Sequence, residues 1–570
     1  MNKKPVIYQL LPRLFTNYNP NCIPGGSIKQ NGSGKLNDIT DQVLASIGEL
    51  GITHVWYTGV IEHAHCADYS DFGIEPADNP HVVKGQAGSP YAISDYYDID
   101  PDLAVDVDNR IAEFEALVKR THDAGMKVII DFVPNHVARR YHSDAVPMGG
   151  PADFGAYDDS SKYFAHDNNF YYIPRQLFAP SVDMGQGADA YIEFPAKASG
   201  NDCFSAFPGV NDWYDTVKLN YGIDYGDGSR HFDPIPDTWR KMLHILRYWA
   251  SKGIDGFRCD MVHMVPLEFW SWAIPRVKQA HPGIIFIAEI YETGLYRDFI
   301  FKGGFDYLYD KVTLYDTLRG IQTANYSAAQ LTNCWQTVEG IAPNMLNFLE
   351  NHDEQRFASH FFAGDASKMT PSLVISAMIN TGAMMIYAGQ ELGEPAADSE
   401  GYSGFDGRTT IFDYWSIATL RRWLNNGNPS TEHLTDAERS LRAKYADILK
   451  LCNSERAIRE GSFFDLMYVN YDNPSVNPHR QYIFLRHHGD ETIIIATNFS
   501  TERADMHINI PEHAFNILGI SGTTATMTEL LSGEKMRKDF RPDKPFDASV
   551  EPFGAAIWKI KHRAPRRSKK

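Results

Sequence analysis

The feature that most constrains the fold is an alternation of short apolar segments with longer amphipathic ones along most of the chain. Two of the amphipathic segments, 109–124 and 238–251, have the apolar spacing of helices packed on a core. Repeated strand–helix units predict parallel strands, and eight units favour an α/β fold with a closed (β/α)8 barrel, an open doubly wound sheet being the alternative. The predicted strands are 6–10, 52–60, 127–133, 254–260, 284–290, 305–309, 345–349 and 383–387.

Two regions depart from this alternation. The segment 137–232, between the third and fourth strands, is rich in Gly, Asp, Asn and Tyr and has little helical periodicity, which predicts an inserted subdomain B. After a helix at 436–452, short apolar runs predict a C-terminal antiparallel β-sandwich. Those runs are 463–469, 481–487, 492–498, 506–510 and 555–560. The predicted domains are a barrel (1–136 and 233–455), subdomain B (137–232), a sandwich (456–562) and a basic tail (563–570).

Composition narrows the classes of partner. The chain has 570 residues, too many for one hydrophobic core, and its 72 acidic against 54 basic side chains give a net charge of −18. This balance argues against nucleic acid or an anionic membrane surface as partner and is compatible with a neutral substrate such as a sugar. The scattered cysteines form no CxxC pair. Neither a signal peptide nor a transmembrane run is evident in the sequence. We therefore expect a cytoplasmic protein if Met1 is the native start. The oligomeric state is not predicted.

Polar residues stand at the ends of four predicted strands. In a (β/α)8 barrel these ends face the active site. A single acid at a strand end is often structural, but four such endings in barrel order indicate a functional site. The endings are Asp131-Phe-Val-Pro-Asn-His136, Gly256-Phe-Arg-Cys-Asp260, Ile285-Phe-Ile-Ala-Glu289 and Asn347-Phe-Leu-Glu-Asn-His-Asp353.

With these endings, the sequence resembles the α-amylase superfamily of glycoside hydrolases, family 13, over nearly its whole length. Further matching segments are Tyr8-Gln-Leu-Leu-Pro-Arg, Gly51-Ile-Thr-His-Val-Trp, Ser89-Pro-Tyr-Ala-Ile-Ser-Asp-Tyr96 and Tyr387-Ala-Gly-Gln-Glu-Leu-Gly393. The resemblance implies that Asp260 is the nucleophile, Glu289 the general acid/base and Asp353 a third carboxylate that grips sugar hydroxyls. These are the groups that a retaining glycosidase requires.

The resemblance also implies a set of substrate contacts. His136 and His352 would bind sugar hydroxyls, and Tyr91 would stack on the sugar. Arg258 would hold Asp260 ionised, and because the two alternate along one strand they point to the same side. Burial and neighbouring carboxylates would instead raise the pKa of Glu289, so that one group attacks and the other protonates.

The sequence departs from the family pattern at two places. Typical members follow the nucleophile with Lys-His, where this chain has His263-Met264, so His263 would supply only part of the contact beyond the scissile bond. Calcium-binding members use an Asn matching Asn135 and an Asp at the position of Lys218. An ammonium group does not ligate a cation, so we predict no metal or other cofactor, with Lys218 as a built-in cation or as a solvent-facing side chain.

The sequence therefore predicts an enzyme that cleaves α-1,4-glucosidic bonds in maltooligosaccharides or starch-like glucans. A glucanotransferase or a disaccharide-forming isomerase on the same site is the first alternative, because sequence does not determine whether water or a sugar hydroxyl accepts the glucosyl unit. A catalytically inactive glycan-binding protein is the remote alternative, since such proteins usually lack one of the carboxylates that are present here.

Overall fold

The computed structural model describes residues 3–74, 79–542 and 544–562. Eight parallel strands form a closed barrel in which each strand pairs with its neighbours in chain order and the eighth pairs with the first. The predicted barrel is confirmed, and the open sheet is wrong. The barrel strands are β1 (Val6–Leu10), β2 (His54–Tyr57), β3 (Lys127–Phe132), β4 (Gly256–Cys259), β5 (Ile285–Ala288), β6 (Tyr307–Tyr309), β7 (Met345–Phe348) and β8 (Ala383–Tyr387).

Helices surround the barrel and bury their apolar faces against it. In Asp237–Ser251, for example, Trp239, Met242 and Trp249 recur at helical spacing and are fully buried. The longest helix, Asp436–Ser454, begins with a capping box at Thr435. The helices of seven or more residues are α1 (Asp41–Gly48), α2 (Arg110–Asp123), α3 (Asp237–Ser251), α4 (Leu267–Ala280), α5 (Asp316–Gln322), α6 (Leu331–Thr337), α7 (Thr370–Met378), α8 (Ala418–Leu424), α9 (Asp436–Ser454) and α10 (Glu512–Leu518).

The segment between β3 and β4 has short strands and long loops. Its strand Thr216–Lys218 pairs antiparallel with His136–Ala138, and in that register Lys218 lies opposite His136. This pairing attaches the inserted segment to the end of β3, beside the mouth of the barrel. A second antiparallel pair of strands, formed by Ile61–His63 and Ile93–Ile99, follows β2.

The C-terminal region is antiparallel, with one sheet of six strands and one of two. The predicted runs correspond to five of its strands, but three strands were missed because their exposed faces carry Thr, Lys and Asp in place of an apolar run. The strands are β9 (Ser462–Asp465), β10 (Gln481–His488), β11 (Glu491–Asn498), β12 (Ala504–Ile508), β13 (Thr523–Glu529), β14 (Lys535–Phe540), β15 (Phe546–Val550) and β16 (Gly554–Lys561).

The barrel and the C-terminal sheets share one continuous hydrophobic core. The four domains predicted from the sequence stay a proposal. The last of them, the basic tail 563–570, lies outside the described residues. Within the described part of the chain, no helix has the length and apolar character needed to span a bilayer.

Candidate active site

The carboxyl ends of the barrel strands meet at a cavity of about 560 Å³. Asp260 directly follows β4 and Glu289 directly follows β5, so the closed barrel places both carboxyl groups at the same mouth. Asp353 reaches the cavity from the loop after β7. Six of the eight predicted site residues line this cavity: Tyr91, His136, Asp260, Glu289, His352 and Asp353.

One guanidinium group links the carboxylates below the cavity. Arg258 is 1% exposed, and its Nη1 lies 2.9 Å from Asp260 Oδ1 and 3.3 Å from Asp131 Oδ1. Its Nη2 lies 2.8 Å from Glu289 Oε2. The prediction had Arg258 favour ionisation of Asp260 alone, whereas in the structure it pairs with both carboxyl groups. Its charge therefore does not by itself decide which of them is ionised.

The Asp260 carboxyl group is harder to ionise than that of an ordinary aspartate. Burial raises the pKa of Asp260 well above its ordinary value, the nearby Glu289 carboxyl raises it further, and Arg258 opposes both. Two neighbouring carboxyl groups repel each other when both are charged, so the site disfavours the state in which both are ionised.

The backbone after Asp260 turns sharply to hold Glu289. Met261 has a φ of +43°, a left-handed conformation that strains a non-glycine residue. In this turn the Met261 amide donates to Glu289 Oε2 at 2.9 Å. The Tyr291 hydroxyl donates to Glu289 Oε1 at 2.6 Å. Both oxygens of Glu289 are thus held by donors, and the carboxyl plane is fixed toward Asp260.

The third carboxylate lies beside a buried histidine. Asp353 Oδ2 is 3.0 Å from His352 Nε2, and about a third of the Asp353 side chain (34%) is exposed to the cavity. Burial, followed by the Glu289 charge, raises the pKa of Asp353 to about 7. Tyr91 stacks on the His352 ring with centroids 5.3 Å apart. Together they form a wall with an aromatic face and polar edges, which suits a sugar ring.

His136 lies on the opposite side of the cavity. It begins the short strand that pairs with the inserted segment, and its ring lies 5.2 Å from Trp213. Burial, with Lys218 as the second cause, lowers the pKa of His136 to about 3. A neutral imidazole can donate a hydrogen bond to a hydroxyl, which is all that the proposed contact requires.

The remaining predicted contact, His263, is not among the residues that line the cavity. It lies in the turn Val262–Met264, half-buried, with its ring 6.4 Å from that of Tyr291. Tyr291 thus neighbours both His263 and the acid/base candidate Glu289. A contact of His263 with the sugar beyond the scissile bond stays a prediction.

Lys218 connects the inserted segment to the barrel. Its ammonium group is 2% exposed, donates to Asn135 Oδ1 and to the Met264 carbonyl at 3.0 Å, and pairs with Asp202 Oδ1 at 2.6 Å. The oxygens that would coordinate calcium are already bound to this cation. The residues present therefore do not fit a calcium ion, and the solvent-facing alternative for Lys218 is wrong.

We predict that chelation will leave activity and melting temperature unchanged and that added calcium will restore nothing. The Lys218→Met variant should lose about 1–3 kcal/mol of unfolding free energy, because it leaves buried oxygen acceptors without their donor. Activity assays and differential scanning calorimetry, each with and without a chelator, measure these effects. The exposed pair Lys119–Asp123 provides a control, since Lys119→Met should change the melting temperature little. A chelator-induced loss that calcium reverses would contradict the prediction.

Two further groups could gather metal ligands among the described residues, and several of their atoms already have partners. They are His65, Asp100 and Asp102, and Glu62, Asp95 and Asp98. In the first group Asp102 accepts hydrogen bonds from Tyr69 and Tyr414. In the second, Arg110 pairs with Asp98. We therefore assign no metal to either group.

Several residues that shape the site were missed in the sequence. In the sequence Asp131 only begins a strand-end motif, yet in the structure it accepts hydrogen bonds from Trp56 Nε1 at 2.9 Å and from Tyr91 at 3.3 Å. Tyr291 and Tyr402 contact Glu289 and Asp353 respectively. An aromatic residue two positions after an acid gives no signal in one sequence, because core packing produces the same pattern.

The fold and the site define the class: a (β/α)8-barrel protein with a carboxylate-lined cavity of the kind found in retaining glycosidases. The family model "Alpha amylase, catalytic domain" matches residues 9–178 and 232–411. The chain belongs to the α-amylase family of glycoside hydrolases, family 13.

Individual relatives are distant. Neopullulanase 2 of Thermoactinomyces vulgaris is 23% identical over 69% of this chain, which spans 57% of that protein's length. A cyclomaltodextrinase of Geobacillus thermopakistaniensis is 23% identical, covering 98% of this chain and 77% of its own length. Among solved structures, a maltogenic α-amylase of Thermotoga neapolitana superposes with a TM-score of 0.62 at 18% identity, covering 98% of this chain and 99% of its own. At that identity the superposition shows the fold alone.

Proposed function

We propose that the protein cleaves α-1,4-glucosidic bonds in maltooligosaccharides or related glucans by double displacement. The observation that carries the proposal is the bridge from Arg258 to Asp260 and Glu289, which places two carboxyl groups together at the barrel mouth. The printed names of the relatives, a cyclomaltodextrinase and a neopullulanase, support α-glucans as the substrate class.

In the first step Asp260 attacks the anomeric carbon while Glu289 gives its proton to the glycosidic oxygen. The bond to the leaving sugar breaks, and a glucosyl ester of Asp260 forms. In the second step Glu289, now ionised, takes a proton from water as the water oxygen attacks the anomeric carbon. Asp260 leaves as a carboxylate, and both groups return to their starting states.

The other residues that line the cavity orient the sugar. Tyr91 provides an aromatic face for the ring, while His136, His352 and Asp353 offer hydrogen-bonding atoms for its hydroxyls. Hydrogen-bond donors that bind the distorted, partly charged sugar more strongly accelerate the reaction, because they stabilise the transition state more than the ground state. We further propose a cytoplasmic location, which the six cysteines of the described chain support, since none of them forms a disulfide there.

The double displacement predicts retention of configuration. An α-linked substrate should release an α-anomer first, because each displacement inverts the anomeric carbon once. Proton NMR of the earliest products, recorded before mutarotation, tests this. Maltopentaose is a suitable substrate, with a known inverting amylase run in parallel as the control for the β-anomer signal. Initial appearance of the β-anomer would contradict the roles given to Asp260 and Glu289.

The acceptor in the second step separates hydrolysis from transfer. Incubation with a maltooligosaccharide ladder, followed by chromatography at several substrate concentrations, should give only shorter products. Products longer than the substrate, increasing with acceptor concentration, would replace the hydrolase proposal by a glucanotransferase on the same site.

A further inference from the structure

We propose that Gln9 is a positioning residue that keeps the proton of the His352 imidazole on Nε2, the nitrogen beside the cavity. The effect of Gln9 on the reaction rate rests on the proposed function. The proton position itself is a property of the free protein and is testable without substrate.

Gln9 reaches His352 through the inside of the barrel. It lies in β1, fully buried, and in the sheet register it is opposite Trp56 of β2 and Tyr387 of β8. Its Nε2 is 2.7 Å from His352 Nδ1 and donates to Thr58 Oγ1 at 3.0 Å. The side-chain amide thus spans from β1 to the loop after β7.

The partners on the other side of the ring determine where its proton lies. His352 Nε2 is 3.0 Å from a carboxylate oxygen of Asp353 and 2.6 Å from the Tyr91 hydroxyl oxygen. Tyr91 donates its own proton to Asp131 Oδ1, so toward the ring it is an acceptor. With Asp353 ionised, two acceptors face this nitrogen, which requires the nitrogen to carry the hydrogen.

The imidazole is neutral, so its other nitrogen has a lone pair. Burial, reinforced by the charge of Arg258, lowers the pKa of His352 well below its ordinary value. The charged groups around the ring are Arg258, Asp353 and Asp131, and the guanidinium is already paired with carboxylates. Nδ1 therefore needs a donor, and the amide hydrogens of Gln9 meet that need.

The opposite orientation of the amide fails on the same geometry. With its oxygen toward Nδ1, Gln9 would require a hydrogen on Nδ1 and would leave the Nε2 lone pair facing the Asp353 carboxylate. Repulsion between two electron-rich atoms at 3.0 Å disfavours that arrangement. A neutral donor in β1 thus fixes an Nε2–H that points toward the sugar hydroxyls.

The decisive comparison is between Gln9→Glu and Gln9→Met. The first keeps the size of the side chain but offers only an acceptor to Nδ1, so it draws a proton onto that nitrogen. The second removes the donor without adding an acceptor, so Asp353 still favours Nε2–H. We expect kcat/KM on maltopentaose to fall about 100-fold for Gln9→Glu and about tenfold or less for Gln9→Met. A purely structural role would make Gln9→Met at least as harmful.

The ring proton is observed directly by NMR of protein labelled with ¹⁵N-histidine, with the His352 signals assigned by their absence in His352→Gln. Wild type and Gln9→Met should show a neutral ring protonated on Nε2, and Gln9→Glu a proton on Nδ1. A wild-type ring protonated on Nδ1, or an unchanged ring in Gln9→Glu, would overturn the inference. If wild type cleaves no α-glucan, the proposed function fails, and the spectra still decide the role of Gln9.

Discussion

Asp260→Asn should reduce kcat on maltopentaose by about 10⁴-fold or more, because an amide neither attacks the anomeric carbon nor leaves from it. Glu289→Gln should cause a comparable loss, since it removes the proposed proton donor to the leaving oxygen. Both changes are near-isosteric at positions that follow strands β4 and β5, so the fold should remain intact. Circular dichroism and thermal melting check that point. Retention of more than about a tenth of the wild-type rate would show that a role is misassigned.

The two losses should differ in how they are rescued. An aryl α-glucoside with a very acidic phenol needs little protonation of its leaving oxygen, so Glu289→Gln should regain most of its rate for the first step. Asp260→Asn should regain nothing, because the missing group is the attacking atom. Asp413→Asn serves as the matched control, since Asp413 also lines the cavity but accepts a hydrogen bond from the Gln86 backbone and has no contact with Arg258. Equal rescue of both variants would contradict the separate roles.

The barrel was predictable because its physics is local. Parallel strands buried on both faces appear as apolar runs, and both 6–10 and 383–387 matched the observed strands. The candidate catalytic residues at the strand ends could be recognised for the same reason. A charged residue directly after an apolar strand is not what core packing alone would place there. The C-terminal strands β13 and β14 lack such a pattern, since their exposed faces are Thr- and Lys-rich.

The connections within the site were not predictable from spacing. Gln9 and His352 are joined across the barrel by a hydrogen bond between residues 343 positions apart. Arg258 and Asp260 alternate on one strand, which correctly suggested a pair, but the second partner, Glu289, lies on the next strand and changes the meaning of the contact. Electrostatics at this site depends on three-dimensional distances that one sequence does not contain.

Arg258→Met should lower kcat/KM at neutral pH by about 10²–10⁴-fold and move the acidic limb of the pH profile upward. In the wild type the guanidinium opposes the raised pKa of Asp260 and that of Asp353, which lies at about 7. Without this cation the charged forms lose their stabilisation and both pKa values rise further. Near neutrality Asp260 is then protonated for more of the time, so less carboxylate is available to attack. Raising the pH should recover part of the rate, because ionising Asp260 restores the nucleophile.

Arg258→Lys keeps the positive charge but not the contact with both carboxyl groups. It should shift the acidic limb less than Arg258→Met does and should still lose rate, since one ammonium does not reach both carboxyl groups as the guanidinium does. In Arg258→Met the pH dependence of kcat/KM could instead keep both limbs at their wild-type pH values while only the maximum falls. That result would mean that Arg258 acts on sugar binding or packing and not on the protonation of the carboxyl groups.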